Sequence, residues 1–507
     1  MPRLAAHSGL PALSTIALGM ALASPVSMGQ PSDAPAHVQV AGEPTHYKGA
    51  VSLPTVSLDF AIRLVRGLDG APSGSIDIPL QSVDDFPLSQ VVWTGEAIRF
   101  TMEIPGQPER AWPRFEFTIA GDAPPKEGTL RQAGMEFPAT LERLDGAPEP
   151  TRRPQTPAPP FPYLAREVTF ESPLDADSSG GPGSLTIAGT LVLPEGPGPF
   201  PCAVFITGSG PQDRDETLFE HRPFWVLADD LARHGIASLR CDDRGVGGTD
   251  QGSEDDDSFD LATDVASMVE FVRLQPEIDP ALVGLIGHSE GGLIGPIVAA
   301  EDPSIAFLVM LAGPGVPGDE ILLRQGEAMA TAMGVPQSDL DAQRPHRLAM
   351  FDAIDRGDTE GARAALTQLL SMSSPEFAGS PDGAKMLEQA VEGQLRMLES
   401  AWMRTFMAHD PRGPLRRVEC PVLVLNGDLD MQVLHDQNVP EVEAALREGG
   451  NTRVVVHVLP GLNHMFQPAT TGAITEYIQI ETTFDPGAMT IIRDWIRDQT
   501  RERPGGG

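Results

Sequence analysis

Three cysteines in 507 residues, Cys202, Cys241 and Cys420, are too few and too widely spaced for a disulfide framework or a CxxC metal site. Each sits in or beside an apolar run, where a buried free thiol is the ordinary outcome. Positive charge is also scarce: 36 Lys and Arg stand against 71 Asp and Glu, a formal net charge of −35. A nucleic-acid binder needs a basic surface to displace counterions from phosphates, so that class is excluded. Long hydrophobic runs are missing as well, and no bilayer span is expected. What remains is a globular composition, 41% hydrophobic and 21% charged, long enough for two or three domains. Gly 52 and Pro 49 predict plentiful loops.

The first 29 residues read as a signal peptide. Arg3 supplies the positive end, Leu10 to Ala23 is mostly apolar with small residues, and Ala21-Leu22-Ala23 fits an A-x-A cleavage site, with a second option near Gly29. The expected location is therefore exported, periplasmic or extracellular. Residues 38–146 carry a period of two: Val56, Leu58, Phe60, Ile62 and Leu64, then Ile98, Phe100, Met102 and Ile104, then Phe115, Phe117 and Ile119. Alternation of this kind marks half-buried strands, here of an all-β sandwich or small barrel. It holds no His/Asp/Glu cluster and no Gly-rich phosphate loop. Residues 147–162 contain seven prolines in sixteen positions and read as a semi-rigid linker.

From 163 to 500 strands alternate with helices, the pattern of a mostly parallel sheet covered by helices. Continuous apolar runs at Ala203–Thr207, Ile236–Leu239, Val283–Ile286, Phe307–Leu311, Val422–Leu425 and Val454–Leu459 suit strands buried on both faces. Gly235 is placed to end one helix and Ser258 to cap the next. About 318–414 is helical in pattern without a strand and is expected to form a cap over one end of the sheet.

The chemistry concentrates at Gly287-His288-Ser289-Glu290-Gly291-Gly292, directly after an apolar strand and before a small-residue helix. A sharp strand-to-helix turn exposes the Ser289 hydroxyl, and glycines flank it because side chains there would collide. Serine is a weak nucleophile and needs a base, itself oriented by an acid. Asn426-Gly427-Asp428-Leu429-Asp430 follows one strand and offers two carboxylates. Pro460-Gly461-Leu462-Asn463-His464 follows the next and can swing His464 over Ser289. His457 lies within a strand, His435 too close to the acid turn, and His288 should point away from Ser289; all three read as structural.

Five stretches in this order resemble the α/β-hydrolase superfamily, in its serine esterase branch related to dienelactone hydrolases. They are Thr207 to Asp215 (TGSGPQDRD), Asp242 to Gly247 (DDRGVG), Gly287 to Gly292, Gly427 to Asp430, and Asn463-His464. The resemblance implies an acid three residues after the turn glycine, hence Asp430, giving Ser289, Asp430 and His464 as the catalytic set. It departs at Thr207, where relatives usually carry His. The oxyanion hole is expected from the backbone N–H groups of Glu290 and Ser209. Asp242, Asp243 and Arg244 read as an internally paired turn beside the site, and Glu254 to Asp257 as a solvated acidic loop rather than a calcium site, since it lacks spaced ligands and a glycine.

These expectations describe an exported carboxylic-ester hydrolase working through an acyl-enzyme on a small-molecule ester, with no metal or organic cofactor. The rivals are a serine peptidase of the prolyl-oligopeptidase type and an acyl-coenzyme A thioesterase or acyltransferase. The first wants a large propeller that some 110 residues of β pattern without blade repeats do not supply. The second is disfavoured by export and by the anionic protein. A binding protein with a dead hydrolase domain is disfavoured by the complete set of three residues.

Overall fold

The computed structural model describes residues 43–501, apart from 53–56, 80–82, 105–108, 110–111, 120–125, 133–134, 148–151, 175–182, 254 and 374–380. The expected signal peptide and part of the proline-rich segment lie outside the described residues. The chain divides into two compact units, with the boundary between Arg152 and Arg153.

The first unit is one antiparallel sheet of β1 (Thr45–Ser52), β2 (Ser57–Arg66), β3 (Pro72–Ile78), β4 (Val83–Pro87), β5 (Ser89–Trp93), β6 (Ala97–Thr101), β7 (Arg114–Thr118), β8 (Lys126–Gln132) and β9 (Met135–Arg143). Its order is β4-β3-β2-β1-β9-β8-β7-β6-β5. The two edge strands, β4 and β5, are separated in sequence by Leu88 alone, so the sheet must curl to bring its edges together. Curling explains why Phe60 of β2 meets Phe115 of β7, with three strands between them in the order, at a ring-centroid distance of 5.3 Å. The alternating Phe60, Ile62, Leu64, Ile98, Phe100, Phe115 and Phe117 are all buried.

The second unit holds an eight-stranded sheet: β10 (Tyr163–Leu174), β11 (Gly183–Pro194), β12 (Phe200–Ile206), β13 (Ala237–Cys241), β14 (Ile278–His288), β15 (Leu308–Leu311), β16 (Val422–Gly427) and β17 (Val454–Leu459). The order is β10-β11-β13-β12-β14-β15-β16-β17. β10 and β11 form an antiparallel hairpin, β11 pairs antiparallel with β13, and every later pairing is parallel. The hairpin is absent from the sequence reading, although Leu185, Ile187, Leu191 and Leu193 keep a strand's alternation and are buried.

The helices are α1 (Pro223–Arg233), α2 (Ser258–Arg273), α3 (Gly291–Glu301), α4 (Gly318–Ala332), α5 (Gln337–Asp355), α6 (Thr359–Ser373), α7 (Pro381–Leu398), α8 (Ala401–Ala408), α9 (Arg412–Leu415), α10 (His435–Glu448), α11 (Ile474–Tyr477) and α12 (Pro486–Thr500). Among the described residues no helix is long and apolar enough to cross a membrane. Because side chains alternate, the central strands feed two cores. Leu285, Leu308, Met310 and Val424 pack with Val265, Met268, Ile294 and Val442 of α2, α3 and α10. Ile286, Val309, Leu311 and Leu425 pack with Leu227, Leu231, Ile492 and Ile496 of α1 and α12. Burying each such side chain contributes roughly 1.5–3 kcal/mol before the ordering cost. Helices α4 to α9 all lie between β15 and β16, and Leu366, Leu369 and Leu395 extend the first core.

Two local expectations change. The cap of α2 is Asp257, whose carboxylate accepts the N–H groups of Phe259 and Asp260; Ser258 is the first helical residue. A carboxylate one position earlier serves the helix N-terminus better, which frees the serine hydroxyl. The proline-rich segment is also pinned where it is described. Arg153 donates to the carbonyls of Phe219 (2.7 Å), Ile478 (3.0 Å) and Ile480 (2.9 Å), and Gln155 bonds the backbone of Thr483 and Phe484. Beside it, buried His221 donates from Nε2 to the Tyr477 carbonyl and accepts the Thr483 hydroxyl at Nδ1.

Replacing Arg153 by Met leaves three carbonyls without a charged donor and is expected to cost about 2 kcal/mol or more in urea unfolding. Burial, aided by the Arg153 charge, pushes the His221 imidazole down to about 4. The unfolded chain then binds a proton that the fold refuses between about pH 6.5 and 4, so this contribution is present at neutral pH and lost on acidification. From pH 6.5 to 4.5 the wild type should lose about 2 kcal/mol more than His221→Asn. Parallel losses in both proteins would contradict this.

Candidate active site

β14 delivers the central turn. Ser289 stands at φ +53°, in the left-handed region that a non-glycine residue rarely occupies. Its N–H bonds the Leu311 carbonyl of the neighbouring strand, and its own carbonyl starts α3 through Gly292. The glycines around it are obligatory on distance grounds. A Cβ on Gly287 would lie 2.0 Å from the Gly291 carbonyl oxygen, and one on Gly291 would lie 2.2 Å from that of Ile206.

The ends of β16 and β17 bring the other two residues. His464 Nδ1 lies 2.8 Å from Asp430 Oδ2, both side chains buried. Asp430 also accepts Asn426 Nδ2 and the N–H groups of Gln432 and Val433, which fix its rotamer. The carboxylate accepts a hydrogen bond from Nδ1–H, so a neutral His464 has Nε2 free as an acceptor. Asp428 is exposed and accepts the Gly461 N–H at 2.6 Å, holding the turn that leads to His464. Within that turn Asn463 accepts the N–H groups of Met465 and Gln467. Among the described residues no hydrogen bond reaches Ser289 Oγ; such contacts commonly tighten only when substrate is present.

Ser289 and His464 line one cavity of about 250 Å³. Ser209, Gln212, Gln432 and Tyr477 give it polar points, while Leu322, Trp402, Met403, Phe406 and Met465 make the wall largely apolar. No lysine or arginine lines it among the described residues. Trp402 stacks on Phe406, centroids 5.7 Å apart. His435 and His457 are not in the lining. His288 is, with its ring 4.7 Å from that of His464.

The loop after β12 carries Ser209. Thr207 donates from Oγ1 to Asp243 Oδ1 (2.8 Å), and the Gln212 N–H meets Asp243 Oδ2 (2.9 Å). Asp242 receives a fork from Arg214 together with the Arg214 N–H. Asp242 and Asp243 are therefore not paired with Arg244, as the sequence reading expects; Arg244 turns the other way, to Asp264 and Asp256. Adjacent residues in an extended turn face opposite sides, so each finds its partner on a different element. The acidic run is likewise engaged where it is described, Asp256 with Arg244 and Asp257 with the N-terminus of α2 and Thr405. Burial pushes the Asp243 carboxyl up to about 8 despite those donors. Gly208 N–H is occupied by Glu216 Oε1, whereas the N–H groups of Ser209 and Glu290 have no acceptor among the described residues.

Side chains that sequence reading passed over complete the site. Glu290 is 1% exposed and its Oε1 accepts Ser258 Oγ (2.6 Å) and Trp402 Nε1 (2.8 Å). Burial raises its carboxyl above the usual range, although these donors and Ser209 pull it back. The available signal was a glutamate inside a glycine-rich turn between an apolar strand and an apolar helix. Among the described residues no three His, Cys, Asp or Glu side chains cluster as a metal site requires.

Residues 203–471 match the model of the alpha/beta hydrolase family. Esterase EstD of Thermotoga maritima is 33% identical over 298 residues, 57% of this chain and 59% of that protein, so the chain spans less than two thirds of that relative's length. Among solved structures, the alpha/beta hydrolase GrgF from a Penicillium species is 15% identical, covering 66% of this chain and 99% of that one with a TM-score of 0.39. An esterase of Pyrococcus furiosus is 14% identical over 69% and 98%, also with a TM-score of 0.39. With more than half its length matched by the family, including the turn at Ser289 and the His464–Asp430 pair, this chain belongs to the alpha/beta hydrolases.

Proposed function

We propose that this protein is an exported serine esterase that cleaves neutral carboxylic esters through an acyl-enzyme. The observation that carries the reading is the buried Asp430–His464 pair lining, through His464, the same cavity as a serine held in a strained turn. The esterase named among its relatives supports the choice of ester. Export rests on residues 1–29 alone.

In this mechanism Ser289 Oγ attacks the ester carbonyl while His464 Nε2 takes its proton. Asp430 keeps the Nδ1 proton in place and stabilises the imidazolium that forms. The N–H groups of Ser209 and Glu290 meet the negative charge on the tetrahedral oxygen, each contributing roughly 10²–10³ in rate. His464 returns the proton to the departing alcohol, and water, activated the same way, releases the acid. Helices α4 to α8 act as a cap whose Trp402, Phe406 and Leu322 enclose the acyl or alcohol group. A cavity of about 250 Å³ lined by no lysine or arginine among the described residues suits small to medium apolar groups, and a protein of net charge −35 repels polyanions such as acyl-coenzyme A.

Matched ester, thioester and amide series given to the purified chain should show the ester cleaved fastest and rates falling once the acyl chain outgrows the cavity. Faster cleavage of the amide would favour a peptidase. Ser289→Ala should lower kcat on the order of 10⁶-fold. Asp430→Asn should lower it on the order of 10⁴-fold and Asp428→Asn by less than about tenfold, since only Asp430 holds the imidazole tautomer. The reverse ranking of the two aspartates would overturn the assignment of the acid.

A further inference from the structure

His288 Nδ1 lies 2.9 Å from Glu216 Oε1, and Nε2 lies 2.9 Å from the backbone oxygen of His464. A peptide carbonyl carries no proton, so Nε2 must donate. Glu216 Oε1 also accepts the Gly208 N–H at 2.8 Å, and an ionised carboxylate oxygen can accept from both neighbours at once. With Glu216 ionised, Nδ1 donates as well. We infer that His288 is a doubly protonated imidazolium paired with Glu216, and that the pair positions the oxyanion loop and the His464 loop about the nucleophile.

The surroundings agree with that charge state. Both side chains are almost fully buried, so an unpaired charge on either would be costly. Burial alone would push the imidazole down. The Glu216 carboxylate, the His464 carbonyl and the charge of Asp430 more than offset it and hold the proton above the ordinary value. Among the described residues the titratable groups that act on the ring are Glu216 from the loop after β12, Asp430 from the turn after β16, and His464; Phe466 meets it edge-on.

The placement has a direct consequence for geometry. Gly208 precedes Ser209, His288 precedes Ser289, and the carbonyl that Nε2 holds belongs to His464. One ion pair therefore spans the three segments that the proposed mechanism needs in register. It also engages the Gly208 N–H, leaving that of Ser209 for the oxyanion. Glu216 itself sits at φ +53°, a strained value for a non-glycine residue, and these contacts hold it there. Neither residue forms or breaks a bond with substrate, so both are positioning residues. The apolar wall comes mostly from the helices between β15 and β16, with Met465 beside His464, so loosening the pair should act on kcat far more than on KM.

The inference rests on the esterase reading for its kinetic arm only. The direct test is a long-range proton–nitrogen correlation spectrum of the full chain labelled with ¹⁵N-histidine, recorded at pH 8, where a free imidazole with a pKa near ~6.5 is neutral. One histidine should show two protonated ring nitrogens. That signal should vanish in His288→Asn and revert to a single N–H in Glu216→Gln, either variant sufficing for assignment. On a short ester, Glu216→Gln should lose about 10–100-fold in kcat with KM changed less than about threefold, the scale expected for sub-ångström misplacement of reacting groups. A neutral His288 at pH 8 in the wild type, or an unchanged kcat in Glu216→Gln, would overturn it. The spectrum is read whether or not an ester is cleaved, so a wrong substrate class fails separately.

Discussion

A serine held at φ +53° between a strand and a helix is the constraint on which the rest of the second unit depends. The turn leaves no room for a Cβ at Gly287 or Gly291, because the Gly291 and Ile206 carbonyls already occupy that space. It needs a rigid strand before it, which β14 supplies from the centre of the sheet, flanked by β12 and β15. It also needs a helix that starts at once, which the small residues of α3 permit. Strain of this kind costs of order 1–3 kcal/mol and persists only where the surroundings over-determine the backbone. The two apolar cores that clasp the sheet provide that determination.

Around the turn, buried carboxyl groups do the local holding. Asp243 ties Thr207 to Gln212 across the loop that carries Ser209, Glu216 ties Gly208 to His288, and Glu290 ties Ser258 to Trp402. Each joins segments distant in sequence, so the loops that surround Ser289 do not depend on their own short-range preferences. Thr207 illustrates this. It stands where the resemblance leads one to expect a histidine, and its hydroxyl anchors the loop through Asp243. The cavity wall is tied in the same way, since Trp402 reaches the elbow through an indole hydrogen bond to the residue that follows Ser289.

What was legible in the sequence is what short range decides. Alternating Phe60, Ile62 and Leu64 mark a strand, and Gly287 to Gly292 after Val283–Ile286 marks the elbow, because periodicity and a glycine requirement are local. Asp430 and His464 were accessible because they sit just past apolar strands whose ends face the same way in a parallel sheet. The β10–β11 hairpin was not seen, although Leu185 to Leu193 alternate, because its first strand carries exposed Leu164 and few buried apolar positions. Partner choice was the larger gap. Asp242, Asp243 and Arg244 invite pairing among themselves, whereas the backbone turns them to Arg214, Thr207 and Asp264. Nor could a glutamate at 290 or a tryptophan at 402 be joined by any pattern across 112 residues; only the packed structure makes them neighbours.

The central claim, that Ser289 is the nucleophile of an ester hydrolase, is tested most directly by covalent trapping. The purified chain would be treated with a neutral alkyl fluorophosphonate, whose fluoride leaves as the serine oxygen bonds to phosphorus, and digested for mass spectrometry, with residual ester hydrolysis followed in parallel. The account predicts one adduct per chain, on the peptide containing Ser289, with hydrolysis lost in proportion to labelling. Labelling at another residue with activity lost, or activity that survives complete modification of Ser289, would contradict it.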